Sequence, residues 1–153
     1  MIFNDSLKNN IILWDDKVSK GKIQNATAFM NKFISSLPNG YDTILGDNGL
    51  KISGGQRKMV SIARELYKPV KILIFDEAMS AIDSSSEKEI QKYMDTIQGD
   101  RTLILISHRL STIKNCDVIF VLKDGKVIET GSAKELYNND GEFRRMIDLQ
   151  TIH

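Results

Sequence analysis

Two short apolar runs of the sequence end in residues that could carry out metal or acid–base chemistry. Residues 71–75 lead directly into Asp76 and Glu77, and residues 102–106 lead, after one serine, into His108. Carboxylate oxygens are hard ligands that suit Mg²⁺, and a neighbouring carboxylate can orient or deprotonate an attacking water. A histidine near a transferring phosphoryl group can donate a hydrogen bond to the developing charge. These residue types together favour metal-assisted phosphoryl transfer.

Each of these residues also has a purely structural interpretation. Carboxylates commonly cap helix starts, so Asp76 and Glu77 could be caps at the end of a strand. His108 could be a histidine whose hydrogen bonds serve only the fold. On these residues alone both interpretations stay open.

A third polar stretch, Ser53-Gly54-Gly55-Gln56, stands where an amphipathic helix is predicted to begin. Ser53 is a predicted N-cap, and the two glycines leave the first backbone N–H groups uncovered. Such a helix tip binds anions, because the free N–H groups and the positive end of the helix dipole point the same way. The alternative is an ordinary glycine-rich loop before a buried helix.

The elements around the apolar runs predict a parallel sheet. The run at 71–75 is almost wholly apolar, which is typical of a strand buried on both faces. A helix follows, with Ser84 and Glu87 as its predicted capping box and Gly99 at its end. A second strand at 102–106 completes a strand–helix–strand unit, which places the polar strand ends on one edge of the sheet. Asp83 stands just before the helix, where an acid also favours the dipole.

The remaining residues predict a helical first part and an antiparallel end. Residues 1–66 favour helices, the first capped by Asn4 or Asp5, with a break at Lys20-Gly21, one helix from Ile23 to Leu37 and a glycine-punctuated loop at 41–51. Asp124-Gly125 between apolar runs predicts a hairpin. Residues 132–137 and 142–149 predict closing helices.

Composition places limits on the function. The 153 residues carry 21 Lys and Arg against 20 Asp and Glu, so a net charge of +1 gives no long-range attraction to nucleic acid. The single cysteine excludes a disulfide framework and fits a reducing compartment. No apolar run approaches the length of a bilayer span. We therefore expect a soluble α/β protein.

Taken together, the motifs resemble those of the ATP-binding cassette ATPases, in family order and over essentially the whole chain. Two conservative departures are isoleucine in place of the usual leucine in the signature motif and in the D-loop. The matching segments are Ile52–Gln56 (signature motif), Ile72–Glu77 (Walker B strand and catalytic glutamate), Ser80–Asp83 (D-loop) and Ser107–Arg109 (switch-histidine loop).

A fifth segment, residues 37–49, is similar to the stretch that exporters with fused membrane domains place before the signature. The resemblance also has a gap, since no Gly-x-x-x-x-Gly-Lys-Ser/Thr occurs in the 153 residues. We therefore expect the chain to begin after the Q-loop. It would hold a helical subdomain at 1–68 and, at 69–153, the C-terminal half of a RecA-like P-loop NTPase core with a mainly parallel sheet.

The resemblance implies a role for each motif residue. Ser53, Gly54, Gly55 and Gln56 would bind ATP held by a second nucleotide-binding domain in a head-to-tail dimer, and Asp83 would contribute across that dimer. Asp76 would coordinate Mg²⁺ through water. Glu77 would be the general base, and His108 would contact the γ-phosphate.

The first hypothesis is that this chain is the C-terminal portion of the ATP-binding domain of an exporter. The full-length ATP hydrolase would have membrane domains fused upstream and would lie on the cytoplasmic face of the cell membrane, while the isolated chain would be inactive for lack of the P-loop. The alternative is a natural non-catalytic module that acts as an interaction or regulatory subunit. A DNA-repair ATPase is disfavoured by the near-neutral charge and the absence of coiled-coil heptads. The transported substrate is not encoded in these residues.

Overall fold

The structure is a computed structural model that describes residues 1–79, 82–97 and 99–151. The chain divides into two compact units, Met1–Ile106 and Ser107–His153. Ser80 and Ala81 of the predicted D-loop lie outside the described residues. The two units are described one after the other.

The first unit combines helices with a strand–helix–strand segment. The two strands, β1 and β2, pair in parallel with Asp76 opposite Ile106, which confirms the predicted arrangement. In chain order the elements are α1 (Leu7–Ile12), α2 (Lys20–Ala26), α3 (Asn31–Ser36), α4 (Gly54–Tyr67), β1 (Ile72–Asp76), α5 (Ser84–Ile97) and β2 (Thr102–Ile106), with 3-10 turns at Ala28–Met30, Gly40–Asp42 and Asp47–Gly49.

The core of this unit forms around α4. This helix has an apolar face because hydrophobic residues recur every three or four positions. The face is buried against α1 and α2, and the core continues under β1 and α5. The buried residues of α4 are Met59, Val60, Ile62, Ala63, Leu66 and Tyr67.

The cap of α1 differs from the prediction. Ser6, and neither Asn4 nor Asp5, is the N-cap, and its hydroxyl accepts a hydrogen bond from the N–H of Asn9 at 3.1 Å. The Asp5 carboxylate accepts hydrogen bonds from the N–H of Ser6 and from the indole N–H of Trp14. Asp5 therefore stabilises the start of the helix from the position before the N-cap.

The predicted helix from Ile23 to Leu37 is also wrong, because it is three pieces. Lys20-Gly21 does not break the pattern but opens α2, which Ser19 caps. The hydroxyl of Thr27 donates to the carbonyl of Ile23 at 2.8 Å at the end of α2, and a 3-10 turn follows before α3. A side chain that bonds its own backbone competes with the helix, which explains the interruption.

The predicted capping box of Ser84 and Glu87 is replaced by a cap at Asp83. One carboxylate oxygen of Asp83 accepts hydrogen bonds from the N–H groups of Ser85 and Ser86 at 3.1 and 3.0 Å. Glu87 is buried, with 8% of its surface exposed. Asp83 stands directly before the helix, in the N-cap position from which a side chain reaches the first N–H groups, whereas Ser84 is already the first residue of the helix.

The prediction that β1 is buried on both faces is wrong. Leu73 and Phe75 face the core, whereas Ile72 and Ile74 are 58% and 64% exposed. In β2, Ile104 and Ile106 are likewise exposed. In the described residues only one layer packs on this two-stranded sheet, so its other face remains apolar and open.

The second unit contains the predicted hairpin and closing helices. Asp124 and Gly125 both have positive φ, as the predicted tight turn requires. Ile119 and Val121 pack with Leu136 and Phe143 as a separate small core. The elements are α6 (Leu110–Ile113), β3 (Ile119–Lys123), β4 (Lys126–Gly131), α7 (Ala133–Asn138) and α8 (Glu142–Thr151).

Candidate functional site

The tip of α4 is built as the sequence predicts. Ser53 has extended backbone (φ −67°, ψ 165°) and is the N-cap. Its hydroxyl accepts from the N–H of Gln56 at 3.1 Å, and the Gln56 side-chain oxygen accepts from the N–H of Ser53 at 2.8 Å. This reciprocal capping box fixes where the helix begins.

Between Ser53 and Gln56 lie two glycines, whose backbone N–H groups are not covered by a side chain. The N–H groups of Gly54 and Gly55 have no hydrogen-bond partner in the described part of the chain. Such groups at the first turn have no intrahelical acceptor, and they carry the positive end of the helix dipole. Gly54 is exposed, so an anion can approach it. The tip can therefore bind a phosphate oxygen.

Arg57 holds the loop that precedes this tip, a role that the sequence did not predict. Its guanidinium donates to the carbonyls of Gly49 and Ile52 at 3.2 and 2.9 Å. A Cβ at Gly49, whose φ is +69°, would come within 3.0 Å of the Arg57 side chain, so the loop can pass this close only with glycine. The cationic group thus holds the preceding loop against the helix start.

A cavity of about 320 Å³ opens beside the tip. Two of its lining side chains, Arg57 and Lys58, are cationic, so the region next to Gly54 is electropositive. The cavity is lined by Met1, Ile2, Asn48, Gly54, Arg57, Lys58 and Ser61.

The two predicted carboxylates stand at the end of β1. Asp76 is the last residue of the strand and is exposed. Glu77 follows with φ +46°, in the left-handed region, and its N–H donates to the carbonyl of Ile106 at 2.9 Å. This bond continues the pairing of β1 and β2 by one residue. A non-glycine residue in this region is strained by roughly 1–2 kcal/mol, and Leu13, Trp14, Asn48 and Asp124 share this backbone conformation.

The histidine loop belongs to the second unit. The Ser107 hydroxyl accepts from the N–H of Arg109 at 3.0 Å, and His108 is exposed. Gln150 on α8 holds this loop twice: its amide nitrogen donates to the His108 carbonyl, and its amide oxygen accepts from the N–H of Leu110. The structure therefore brings Asp76 and Glu77 together in one unit and His108 into the other. Gln150, which no sequence signal marked, fixes the loop backbone.

Asp83 is engaged by the helix that it caps. The backbone hydrogen bond from Ser86, with those from Ser85, holds the pKa of the Asp83 carboxyl well below its usual range. Its charge is therefore retained at any physiological pH. The structural interpretation of this residue holds, and it leaves a contribution across a dimer as a separate proposal.

The described residues contain no group of three or more His, Cys, Asp or Glu side chains placed to hold a metal ion. A lone carboxylate such as Asp76 is nevertheless the usual protein contribution where Mg²⁺ is held mostly by water and phosphate. Within residues 1–79, 82–97 and 99–151, no helix is both long and apolar enough to cross a bilayer.

A family model described as ABC transporter matches residues 1–80, just over half of the chain. The ATP-dependent lipid A-core flippase of Desulfotalea psychrophila is 46% identical over 152 residues, which are 98% of this chain and 27% of the flippase. ABC transporter B family member 15 of Arabidopsis thaliana is 45% identical over 158 residues, 99% of this chain and 12% of the plant protein. The chain belongs to the ABC transporter family.

A solved structure places the fold within the same family. A bacterial Atm1-family ABC exporter with ATP bound matches with a TM-score of 0.87 and 41% identity, over 98% of this chain and 27% of that chain. The predicted fold class, helices joined to part of a RecA-like core with a parallel sheet, is confirmed. The chain spans about a quarter of the length of the bacterial proteins it matches.

Proposed function

We propose that this chain is the C-terminal portion of the ATP-binding domain of an ABC exporter that couples ATP binding and hydrolysis to transport across a membrane. The observation that carries the proposal is the tip of α4, where the N–H groups of Gly54 and Gly55 have no partner among the described residues and lie between the two halves of a capping box. The likeness to exporters over almost the whole chain supports it.

In this proposal the α4 tip binds a phosphate presented by a second nucleotide-binding domain. Ser53 and the glycines donate to the terminal phosphate of ATP, while Gln56 keeps the helix start in place. The partner is a second copy of the domain in head-to-tail order, which leaves Asp83 to contribute across the dimer. The transmembrane domains, fused upstream, place the assembly on the cytoplasmic face of the cell membrane.

The strand ends supply the hydrolytic groups. Asp76 holds Mg²⁺ through water, and the ion neutralises phosphate charge when it is bound. Glu77 orients a water and accepts its proton, and His108 donates a hydrogen bond toward the phosphate. The exposure of all three side chains is compatible with these roles, since Glu77 is half-buried and the other two are open to solvent.

The isolated 153 residues are expected to bind Mg-ATP weakly or not at all. The phosphate-cradling loop and its lysine normally supply most contacts to the nucleotide, and the sequence contains no such motif. Titration calorimetry of this chain with Mg-ATP checks the expectation. Tight binding by the chain alone would mean that the nucleotide site has been assigned to the wrong residues.

The central test substitutes Glu77→Gln in the full-length transporter that contains this chain. We expect ATP binding to persist and hydrolysis to fall by about 10²–10⁴-fold, the usual contribution of a positioned general base. The matched control is Glu89→Gln, which neutralises a carboxylate on α5 that forms an ion pair with exposed Lys92 and should leave the rate unchanged. Near-normal hydrolysis by Glu77→Gln would remove this residue from the role of base.

A second candidate function is a non-catalytic interaction subunit. The exposed apolar face of β1 and β2 favours it, because such a face calls for a covering partner. The reading frame upstream of the Met1 codon separates the two candidates. An in-frame P-loop supports the ATPase, and an in-frame stop codon supports the short subunit.

A further inference from the structure

Residues 68–71 link α4 to β1 and form the joint between them. Two consecutive residues of another segment, Arg101 and Thr102, hold this joint by hydrogen bonds. The guanidinium of Arg101 donates to the carbonyl of Leu66, in the last turn of α4, at 3.1 Å. The next residue, Thr102, donates its N–H to the carbonyl of Lys71 at 2.8 Å. The linker between helix and strand is therefore held at both ends by the start of β2.

Arg101 satisfies a group that the helix itself leaves open. The last carbonyls of a helix have no intrahelical donor and carry the negative end of the dipole, so a cation is favoured there. The residue four positions after Leu66, Val70, donates instead to Lys68. Arg101 also lies near Tyr93 of α5. Burial raises the pKa of Tyr93, and the positive charge of Arg101 partly offsets that rise.

The position of this joint gives it mechanical importance. Helix α4 has 14 residues and is about 21 Å long, so a tilt of about 10° at the Leu66 end moves the Ser53 end by roughly 4 Å. Strand β1 leaves the same joint and ends at Asp76, directly before Glu77. Strand β2 begins at Thr102, directly after Arg101, and ends at Ile106, whose carbonyl accepts the N–H of Glu77.

We propose that Arg101 is a positioning residue that sets the direction of α4 against the β1–β2 pair, so that phosphate contact at the α4 tip is transmitted to the Glu77 carboxylate. This inference rests on the proposed function, which assigns phosphate to the tip and proton transfer to Glu77. Arg101 contacts neither nucleotide nor water in this role. It acts by keeping the helix and the strands at a fixed angle.

The test measures ATP hydrolysis by the full-length transporter that contains this chain. Arg101→Met keeps the aliphatic stem and removes the donor, and we expect kcat to fall about tenfold or more because small misplacements of a catalytic group are costly. KM for ATP should stay within about twofold, since the phosphate-cradling loop, which normally supplies most contacts to the nucleotide, is unchanged. Arg101→Lys restores one donor and should recover most of the lost kcat.

A second variant probes the joint without touching Arg101. Pro69 lies in the linker, and Pro69→Gly loosens it by widening the accessible backbone conformations. If both residues act through one joint, Pro69→Gly lowers kcat, and the double variant loses less than the product of the two single effects. Arg145→Met, at a largely exposed arginine of α8, is the control and should leave kcat unchanged.

Three results would overturn the inference. They are an unchanged kcat in Arg101→Met, a raised KM with normal kcat, and multiplicative effects of Arg101→Met and Pro69→Gly, which would indicate separate structural roles. Should Arg101→Met fail to fold, Arg101→Lys and Pro69→Gly decide the matter by the same criteria. Glu77→Gln keeps the two proposals apart: lost hydrolysis there with normal Arg101→Met turnover refutes only the joint, whereas retained hydrolysis refutes the function.

Discussion

Tyr67, the last residue of α4, makes the long-range side-chain bond that ties this helix to the loop after α1. Its hydroxyl donates to the Asp15 carboxylate at 2.6 Å, and the Lys22 ammonium lies 4.2 Å from the centre of the Tyr67 ring. Burial, then the bond to Asp15, raises the pKa of Tyr67 to about 12. The same bond, with that from the N–H of Lys17, lowers the pKa of Asp15.

These shifts predict how stability depends on pH. Because the folded pKa of Tyr67 lies above its unfolded value near 10, its contribution is complete below pH 10 and is lost as the pH rises through 12. Asp15 behaves oppositely: its contribution is present above its unfolded pKa and is lost as the pH falls through the lower folded value.

We expect Tyr67→Phe to lower the free energy of unfolding at neutral pH and to flatten its decline between pH 10 and 12. Urea unfolding at a series of pH values measures both effects. Tyr137→Phe, at an exposed tyrosine of α7, is the control and should keep the alkaline decline of the unmodified chain. An equally steep decline in Tyr67→Phe would show that this hydroxyl is not the titrating group.

At the level of residues, local bonds could be predicted and distant ones could not. The cap at Ser53 follows from spacing, because its partner Gln56 is three positions away. The partners of Tyr67 and Arg101 lie 52 and 35 positions away, so no window of sequence contains both ends of either bond. The roles of Glu77 and His108 remain predictions, since they depend on a bound nucleotide.

At the level of elements, the α4 tip combines a structural role with a proposed chemical one, and the two can be separated by substitution. Ser53→Ala removes the cap and should cost about 1 kcal/mol of stability. Ser53→Asp keeps capping ability, since aspartate is as good a cap as serine, but it places a negative charge where phosphate would bind.

We therefore expect Ser53→Asp to unfold at nearly the same urea concentration as the unmodified chain, while the full-length transporter carrying it loses ATP hydrolysis. Ser53→Ala should unfold at a lower urea concentration than Ser53→Asp, and the full-length transporter carrying it should lose less ATP hydrolysis. Urea unfolding and steady-state hydrolysis measure the two properties. Undiminished hydrolysis in Ser53→Asp would argue against phosphate binding at this tip.

The elements themselves were predicted well where their periodicity was strong. The face of α4, the parallel pairing of β1 with β2 and the hairpin around Asp124 and Gly125 all follow from spacing. The break at Thr27 was missed because apolar spacing continues through it, while the hydroxyl bond that ends α2 leaves no mark on the hydrophobic pattern.

At the scale of the whole molecule, the open face of the β1–β2 sheet is the main liability. Ile74 is 64% and Ile104 45% exposed, and adjacent exposed isoleucines favour association between copies. An apolar run predicts burial but does not say which residues supply the covering layer. The apolar run at 71–75 therefore predicted the strand correctly but predicted two buried faces where the structure has one.

The isolated chain is accordingly expected to self-associate as its concentration rises. The double variant Ile74→Lys/Ile104→Lys places charge on that face and should shift the chain toward monomer in sedimentation velocity. Ile44→Lys, at an exposed isoleucine outside the sheet, is the control and should leave the association unchanged. A concentration-independent monomer before any substitution would contradict the expectation.

The boundary between the two compact units differs from the predicted boundary of the helical subdomain. Contacts divide the molecule after Ile106, whereas the family resemblance predicts a helical subdomain that ends at residue 68. The tight joint at Leu66 and Lys71 gives a physical reason why contacts do not separate the molecule there. The boundary at 68, between a helical subdomain and the ATPase core, remains a prediction.

The left-handed backbone of Glu77 has a consequence for how this sequence can change over time. Glycine would occupy φ +46° without steric strain, although it loses more backbone entropy on folding than glutamate does. Glutamate at this position therefore carries a backbone strain that glycine would avoid, as expected if its carboxylate has the proposed role. Replacing Glu77 by glycine would thus relieve the backbone strain and remove the proposed general base in a single step.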